Sequence, residues 1–302
     1  MTDAGRAYAI GGSTIAAPSI EPALYVVATP IGNLGDITVR ALETLAAADL
    51  VACEDTRVTA VLMKRYGLAA PLLAYHEHNA ERQRPRLLAA LAEGKRVALV
   101  SDAGTPLVSD PGFRLVQEVV AAGFRVVPIP GASAVLAGLV AAGLPTDAFL
   151  FAGFLPAKGG QRRRRIGELV QVPATLVFFE SPHRLAESLA DLAAGLGPDR
   201  PAAVARELTK YYETIERGTL GSLAERFAAA APKGEIVVLV GPPVERAASA
   251  EEADALLAAA LASLPASAAA ADVARATGLD RRTLYRRALA LKGAAPDPGD
   301  AG

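Results

Sequence analysis

Short apolar runs that end abruptly in loops of small residues, each loop leading into a helically spaced segment, restrict this chain to a largely parallel sheet covered by helices. The sharpest case is Val97–Val100, which stops at Ser101-Asp-Ala-Gly-Thr-Pro106. A helix is expected next, with Asp110 as N-cap, Pro111 in the first turn and Gly112 behind it. Such junctions sit at the carboxyl ends of strands in open α/β sheets, where ligands bind. The same rhythm runs from Ala23 onward. Leu24–Ala28 breaks at Thr29–Asp36, and Leu50–Cys53 ends in Glu54-Asp-Thr-Arg57. Arg125–Ile129 ends in Pro130-Gly-Ala-Ser-Ala134, with Ser133 capping a helix that Gly143 stops.

Around Phe149–Gly160 the pattern changes, because an apolar strand runs into Pro156-Ala-Lys-Gly-Gly160 and then into a run of arginines. The domain boundary is placed there. Residues 23–156 read as an N-terminal α/β domain, 157–242 as an α+β domain and 251–291 as a helical module. The Gly/Ser/Ala-rich residues 1–22 and the Gly/Pro/Asp-rich residues 292–302 are expected to be a disordered lead-in and tail.

Composition excludes several classes. A net charge of −1 argues against indiscriminate coating of nucleic acid, so any such contact requires a local basic patch. Cys53 is the single cysteine, which excludes an internal disulfide and fits a reducing cytoplasm. His76 and His78 lack partners at metal-ligand spacing, and no metal is expected. No apolar run reaches the ~18 residues of a membrane span.

Thr29-Pro-Ile-Gly-Asn-Leu-Gly-Asp36 has neither the glycine spacing of a dinucleotide loop nor the Gly-Lys-Ser/Thr of a P-loop. One small-residue loop reads equally as a structural turn. Three at strand ends describe a groove for a ligand carrying a carboxylate, an ammonium and an adenine, the carboxylate favoured at the helix that Ser133 caps. Asp102–Pro106 and Gly131–Ala134 are its expected walls. Phe178-Phe-Glu-Ser-Pro-His-Arg184 is a further strand running into a helix, with Ser181 as N-cap and Pro182 at the first position. His183 there is a structural or a catalytic side chain, and Arg184 a phosphate ligand or a partner of Glu180.

Lys158 with Arg162, Arg163, Arg164 and Arg165 forms a dense basic cluster, read either as solvated surface or as phosphate contacts. From Ala268 to Leu289 the chain reads helix, Gly278 turn, basic helix, which is the helix-turn-helix pattern. Arg281, Arg282, Arg286 and Arg287 fall on and around its exposed face, and Leu284 and Leu289 on the buried one.

Taken in order, Leu24-Tyr-Val-Val-Ala-Thr-Pro-Ile-Gly-Asn-Leu-Gly-Asp-Ile-Thr38, Cys53-Glu-Asp-Thr-Arg57, Leu99-Val-Ser-Asp-Ala-Gly-Thr-Pro106, Ser109-Asp-Pro-Gly112, Pro130-Gly-Ala-Ser-Ala134, Phe179-Glu-Ser-Pro-His-Arg184, Ala205-Arg-Glu-Leu-Thr-Lys210 and Gly234-Glu-Ile236 resemble the bacterial ribosomal RNA small subunit methyltransferase I family. The resemblance covers about Ala23–Gly241 and the helical module. It implies a tetrapyrrole-methylase-like, class III methyltransferase α/β fold of two domains, with S-adenosylmethionine held in the cleft between them. It further implies 2′-O-methylation of a decoding-centre cytidine of 16S rRNA in the 30S subunit by a cytoplasmic homodimer.

On this resemblance the cofactor contacts are Pro30, Gly32, Asp102, Ala103, Gly104, Thr105, Pro106, Gly131, Ala132, Ser133, Ala134, Phe179, Arg206 and Glu235. The base that takes the 2′-hydroxyl proton is sought among Glu54, Asp55, Asp102, Glu180, His183 and Glu207, with Glu54, Asp55, Glu180 and His183 favoured because their loops should face the cleft. Arg57, Arg184 and Lys210 join the basic cluster and the module's arginines as RNA contacts. Two other readings compete: a corrin-precursor methyltransferase of the same fold, and a metabolite-sensing DNA-binding regulator. A small macrocycle needs neither the basic cluster nor the helix-turn-helix tail, and the tail is a small part of the chain for a regulator.

Overall fold

The computed structural model describes residues 2–109, 112–229, 232–243 and 250–293, so Asp110 and Pro111 lie outside the described residues. The chain divides into two compact units, Met1–Pro243 and Val244–Gly302. It opens on an antiparallel hairpin, β1 (Thr2–Ile10) and β2 (Ser13–Pro18), where a disordered lead-in was expected. Tyr8 and Ala17 carry the correction, since both are buried in one core cluster with Ala41, Leu45 and Val51. Arg6 adds a polar anchor, donating to Ala48 O (2.9 Å) and Asp49 Oδ1 (2.7 Å).

Next come β3 (Leu24–Val27), α1 (Val39–Ala47), β4 (Leu50–Cys53), α2 (Thr56–Arg65), β5 (Leu72–Ala74), α3 (Ala80–Ala92), β6 (Val97–Val100), α4 (Phe113–Ala121), β7 (Val126–Ile129) and α5 (Ala134–Ala142). The five strands after the hairpin form a parallel sheet in the order β5-β4-β6-β3-β7. Burial on both faces of the central strands β3, β4 and β6 explains their near-continuous Val, Leu and Ala. Side-chain caps begin α1 at Thr38, α2 at Asp55 and α5 at Ser133. Gly112, not Asp110, is the N-cap of α4.

The remainder of the first unit is β8 (Phe149–Phe154), α6 (Gly159–Leu169), β9 (Thr175–Glu180), α7 (Leu185–Leu196), β10 (Pro201–Arg206), β11 (Thr214–Thr219), α8 (Leu220–Ala228) and β12 (Ile236–Val240). These strands form a second sheet, β11-β10-β12-β9-β8, antiparallel except for β8 beside β9. The expected boundary at residue 156 is therefore displaced, because β8 belongs to the second sheet. Helix α5 joins the two sheets. Its Val135 and Leu139 share a buried cluster with Ile31 from the first and Val177, Ala203 and Val237 from the second.

Asp49 ties the hairpin to the sheet. Its carboxylate accepts from Arg96 N (2.7 Å), Arg96 Nε (2.9 Å) and Arg6 Nη2 (2.7 Å). Burial works against its charge, but the hydrogen bonds from Arg96 and Arg6 outweigh it and hold the carboxyl well below the usual carboxylate range. A depressed native pKa contributes stability that is present above the unfolded value of ~3.9 and is lost as pH falls through the native one. Urea midpoints should thus place Asp49→Asn below the unaltered protein at neutral pH. The gap should close progressively below about pH 4; a gap independent of pH would remove this role.

The second unit contains α9 (Ala250–Leu261), α10 (Ala266–Thr277) and α11 (Arg281–Gly293), with Gly278 left-handed at the α10 stop and Asp280 accepting from Thr283 N (2.8 Å) at the α11 start. Ala253, Leu257, Ala270, Val273, Leu284 and Ala288 form its core. Leu289, expected inside, is 48% exposed. Among the described residues no helix is long and apolar enough to cross a membrane.

Candidate active site

β3 and β6 are neighbours whose following connections leave in opposite directions, toward β4 and β7, so a crevice opens at their carboxyl ends. The loops there are stitched together: Thr29 N donates to Gly104 O (2.9 Å), Gly104 N to Thr29 O (3.1 Å), and Thr29 Oγ1 to Ser101 O (2.9 Å). Gly104 has φ +88°, and a Cβ there would lie 3.0 Å from Ile31 Cγ2. At Gly131 a Cβ would lie 2.9 Å from Ala28 Cβ, so glycine lets the third loop close onto β3. Thr105 Oγ1 donates to Ala132 O (3.3 Å), completing one rigid wall from three loops.

The second sheet supplies the opposite wall. Glu207 Oε1 accepts from Lys210 Nζ (2.8 Å) and Glu235 N (2.9 Å), and Lys210 Nζ also donates to Glu235 Oε2 (2.9 Å). Partial burial opposes the lysine's charge, yet the two carboxylates raise its pKa. The Lys210 stem lies over Gly32, where a Cβ would come within 2.5 Å of its Cγ. Asn33 N donates to Thr209 Oγ1 (3.2 Å), so the loops of the two sheets meet directly.

Between the walls lies a cleft of about 390 Å³, a size suited to a small-molecule cofactor. Ile31, Ala103, Ala134, Phe179, Leu208 and Val237 line it. A recess of about 350 Å³ shares Ile31, Ala103 and Glu235 with the cleft and adds Pro30, Gly32, Asp102 and Lys210. A polar hollow of about 470 Å³, walled by Glu54, Asp55, Arg57, His76 and His78, meets the recess at Asp102. Asp102 Oδ1 accepts from Asp55 N (3.0 Å), which fixes the carboxylate on the wall shared by recess and hollow.

Several expected site residues have other work. Asp55 caps α2 by accepting from Arg57 N (2.8 Å) and pairs with the Arg57 guanidinium at 2.6 Å. Those hydrogen bonds pull its carboxyl down to about 2, leaving it a feeble proton acceptor. Glu180 is 4% exposed, with Oε1 accepting from Ser181 N (2.8 Å) and Oε2 from Ser188 Oγ (2.5 Å). It thereby tethers the turn before α7, which starts at Leu185 rather than Pro182. His183 is exposed in that turn and lines none of the three spaces.

Arg206 faces away from the cleft and clamps its own loop, donating to Thr214 Oγ1 (3.2 Å), Lys233 O (3.1 Å) and Tyr212 O (2.9 Å). Of the expected cofactor contacts, Ala103, Ala134, Phe179 and Glu235 line the cleft, and Pro30, Gly32 and Asp102 the adjoining recess. Gly104, Thr105, Gly131, Ala132 and Ser133 shape the walls from behind, and Pro106 is buried. Ile31, Val108, Leu208 and Val237 are not legible as site residues in the sequence, because apolar side chains beside a cleft look like core.

The basic cluster is two-faced. Arg162 is 4% exposed, donating from Nε to Asp191 (2.6 Å) and from Nη2 to Glu187 (3.2 Å), so it is a core ion pair and not an RNA contact. Lys158, Arg163 and Arg164 are exposed, while Arg165 pairs with Glu168 at 2.8 Å. Arg184 donates to Leu155 O (2.5 Å) and locks α7 to the end of β8. In the helical unit Arg281, Arg282 and Arg286 are exposed, whereas Arg287 pairs with Asp254 at 2.5 Å and fastens α11 to α9. Among the described residues no cluster of three or more metal-ligating side chains occurs.

This pairing of a parallel and a mixed sheet, with a cleft at the strand ends, defines a known class of methyltransferase. Residues 23–224 match the family model for Tetrapyrrole (Corrin/Porphyrin) Methylases, and residues 247–292 match the RsmI C-terminal HTH domain. Solved structures share the fold. Cobalt precorrin-4 methyltransferase aligns with TM-score 0.56 at 22% identity over 72% of this chain and 94% of that one. Uroporphyrin-III C-methyl transferase from Thermus thermophilus, complexed with S-adenyl homocysteine, aligns with TM-score 0.52 at 23% identity, over 72% and 97%.

Relatives are much nearer in sequence. A Mesorhizobium japonicum ribosomal RNA small subunit methyltransferase I is 60% identical over 97% of this chain and 100% of its own length. The Pseudomonas aeruginosa protein of that name is 49% identical over 89% and 98%. The chain therefore belongs to the ribosomal RNA small subunit methyltransferase I family.

Proposed function

We propose that the protein transfers a methyl group from S-adenosylmethionine to the ribose 2′-oxygen of a decoding-centre cytidine in 16S rRNA. The observation carrying this reading is Asp102, a carboxylate fixed by the Asp55 amide on the wall common to an apolar-lined recess and a polar hollow. The residues present suit the cofactor. Ala103 and Ala134 bring backbone to the cleft surface, the N-terminus of α5 opens at Ala134 for a carboxylate, and Phe179 and Ile31 offer apolar faces to a purine. When bound, S-adenosylmethionine supplies an activated methyl on a sulfonium.

What the protein adds is alignment and a proton acceptor. Holding the acceptor oxygen in line supplies ~7–11 kcal/mol of the barrier. Asp102 takes the hydroxyl proton as the oxygen attacks. Asp55 and Glu180 serve this less well, since Asp55 is committed to capping α2 and Glu180, although it lines the cleft, to the turn before α7, while Glu54 lines the hollow but neither the cleft nor the recess. In this reading the chain works in the cytoplasm on the 30S subunit as a homodimer. Exposed apolar side chains Phe113 and Val120 on α4, and Leu136 and Val140 on α5, supply surface for the second copy.

The test is incubation with labelled S-adenosylmethionine and either 30S subunits, naked 16S rRNA or a porphyrinoid. Label recovered as 2′-O-methylcytidine supports the proposal; label on the porphyrinoid alone overturns it. The exposed cations Lys158, Arg163 and Arg164 are assigned to the RNA backbone. Changing all three to alanine should weaken RNA binding and reduce the salt slope by about 0.7 for each phosphate no longer neutralised. An unchanged slope would return them to ordinary surface.

A further inference from the structure

Tyr211 and Tyr212 form the tip of the loop between β10 and β11, and nothing in the cleft uses them. Tyr211 is 93% exposed, the most exposed large apolar side chain among the described residues, and Tyr212 is 68% exposed. Their rings meet edge to face with centroids 5.0 Å apart. Neither hydroxyl has a hydrogen-bond partner among the described residues.

The backbone beneath them is held firmly. Thr209 N donates to Glu213 Oε2 (2.6 Å), Glu213 N to Lys210 O (3.2 Å) and Arg206 Nη2 to Tyr212 O (2.9 Å). Glu207 and Thr209 are kept at φ +51° and +67°, a conformation non-glycine residues adopt at a cost. The same loop carries Lys210 into the recess beside Asp102. Two large rings are thus presented to solvent on a hydrogen-bonded loop whose Lys210 lines the recess with Asp102. The neighbouring charges balance, Arg206, Lys210 and Lys233 against Glu207, Glu213 and Glu235, so the tip offers aromatic faces and not a phosphate grip.

Resting on the RNA substrate proposed above, we infer that Tyr211 and Tyr212 are a stacking platform for unpaired bases flanking the target nucleotide. Single-stranded RNA is recognised by bases splayed onto aromatic side chains, and each such stack contributes about a tenfold or greater effect on binding when truncated to alanine.

The test uses the full-length protein with Tyr211→Ala, Tyr212→Ala and the two phenylalanine variants. Each is titrated against an oligonucleotide of the target loop carrying 2-aminopurine beside the target, at several salt concentrations. Each alanine variant should bind about tenfold more weakly with less fluorescence quenching, at an unchanged salt slope and unchanged S-adenosylmethionine affinity. The phenylalanine variants should match the unaltered protein. Alanine variants that bind normally would overturn the platform, as would a reduced salt slope or a loss of affinity traced by sedimentation to dissociation of a dimer. An unaltered protein that binds no RNA would instead overturn the RNA reading, and the platform with it.

Discussion

Asp102→Asn should lower the rate of methyl transfer by about 10²–10⁴-fold, the usual worth of a positioned general base. The substitution is isosteric, and asparagine Oδ1 still accepts the Asp55 amide that orients the side chain. The fold and the cleft should therefore persist, with S-adenosylmethionine affinity by calorimetry unchanged and only single-turnover transfer impaired. Full activity would show that the proton leaves by another route. Lost cofactor affinity at normal turnover of bound cofactor would move Asp102 from the acceptor side to the cofactor side of the site.

Arg162→Ala is expected to have the largest effect on stability, about 3–5 kcal/mol, because it breaks a buried ion pair by removing one partner. The guanidinium side chain is 5% exposed and Asp191 16% exposed, so the carboxylate left behind is poorly hydrated. Glu187, 72% exposed, can turn to water, and Arg163 at 3.6 Å from Asp191 offers partial relief, which places the loss toward the lower end. Arg164→Ala, two residues away on the exposed face, should stay within ~0.5 kcal/mol. Denaturant midpoints separate these outcomes. Equal, small losses for both variants would return Arg162 to the surface cluster.

The two arginines show what the sequence could and could not disclose. Four consecutive arginines are identical to any compositional reading, and only the helix decides that Arg162 faces inward with Ile166 and Leu169. The rhythm of apolar runs and small-residue loops was enough to read the parallel sheet and the loops of its crevice, because both follow from local chain properties. β8 is different, since its apolar run continues the rhythm of the first sheet while its pairing with β9 is a long-range choice.

The hairpin at the start was illegible for the same reason. Its Gly11-Gly12 turn and small side chains look disordered until Tyr8, Ala17 and Arg6 find α1 and Asp49, distant in sequence. At the site, the motif residues Glu180 and Asp55 drew notice as carboxylates near strand ends. Glu180's partner Ser188 is visible only in three dimensions, whereas Asp55 is held by Arg57, two residues on, in a local helix cap that the reading of its carboxylate as a base passed over.

A structure determined with S-adenosylhomocysteine measures the heart of this account. The amino-acid end and the purine should lie between the small-residue loops at Ala103 and Ala134 and the wall formed by Phe179 and Val237, with sulfur toward the recess that Asp102 borders. A ligand bound elsewhere, or one whose sulfur turns from Asp102 toward the buried side of α5, would contradict it.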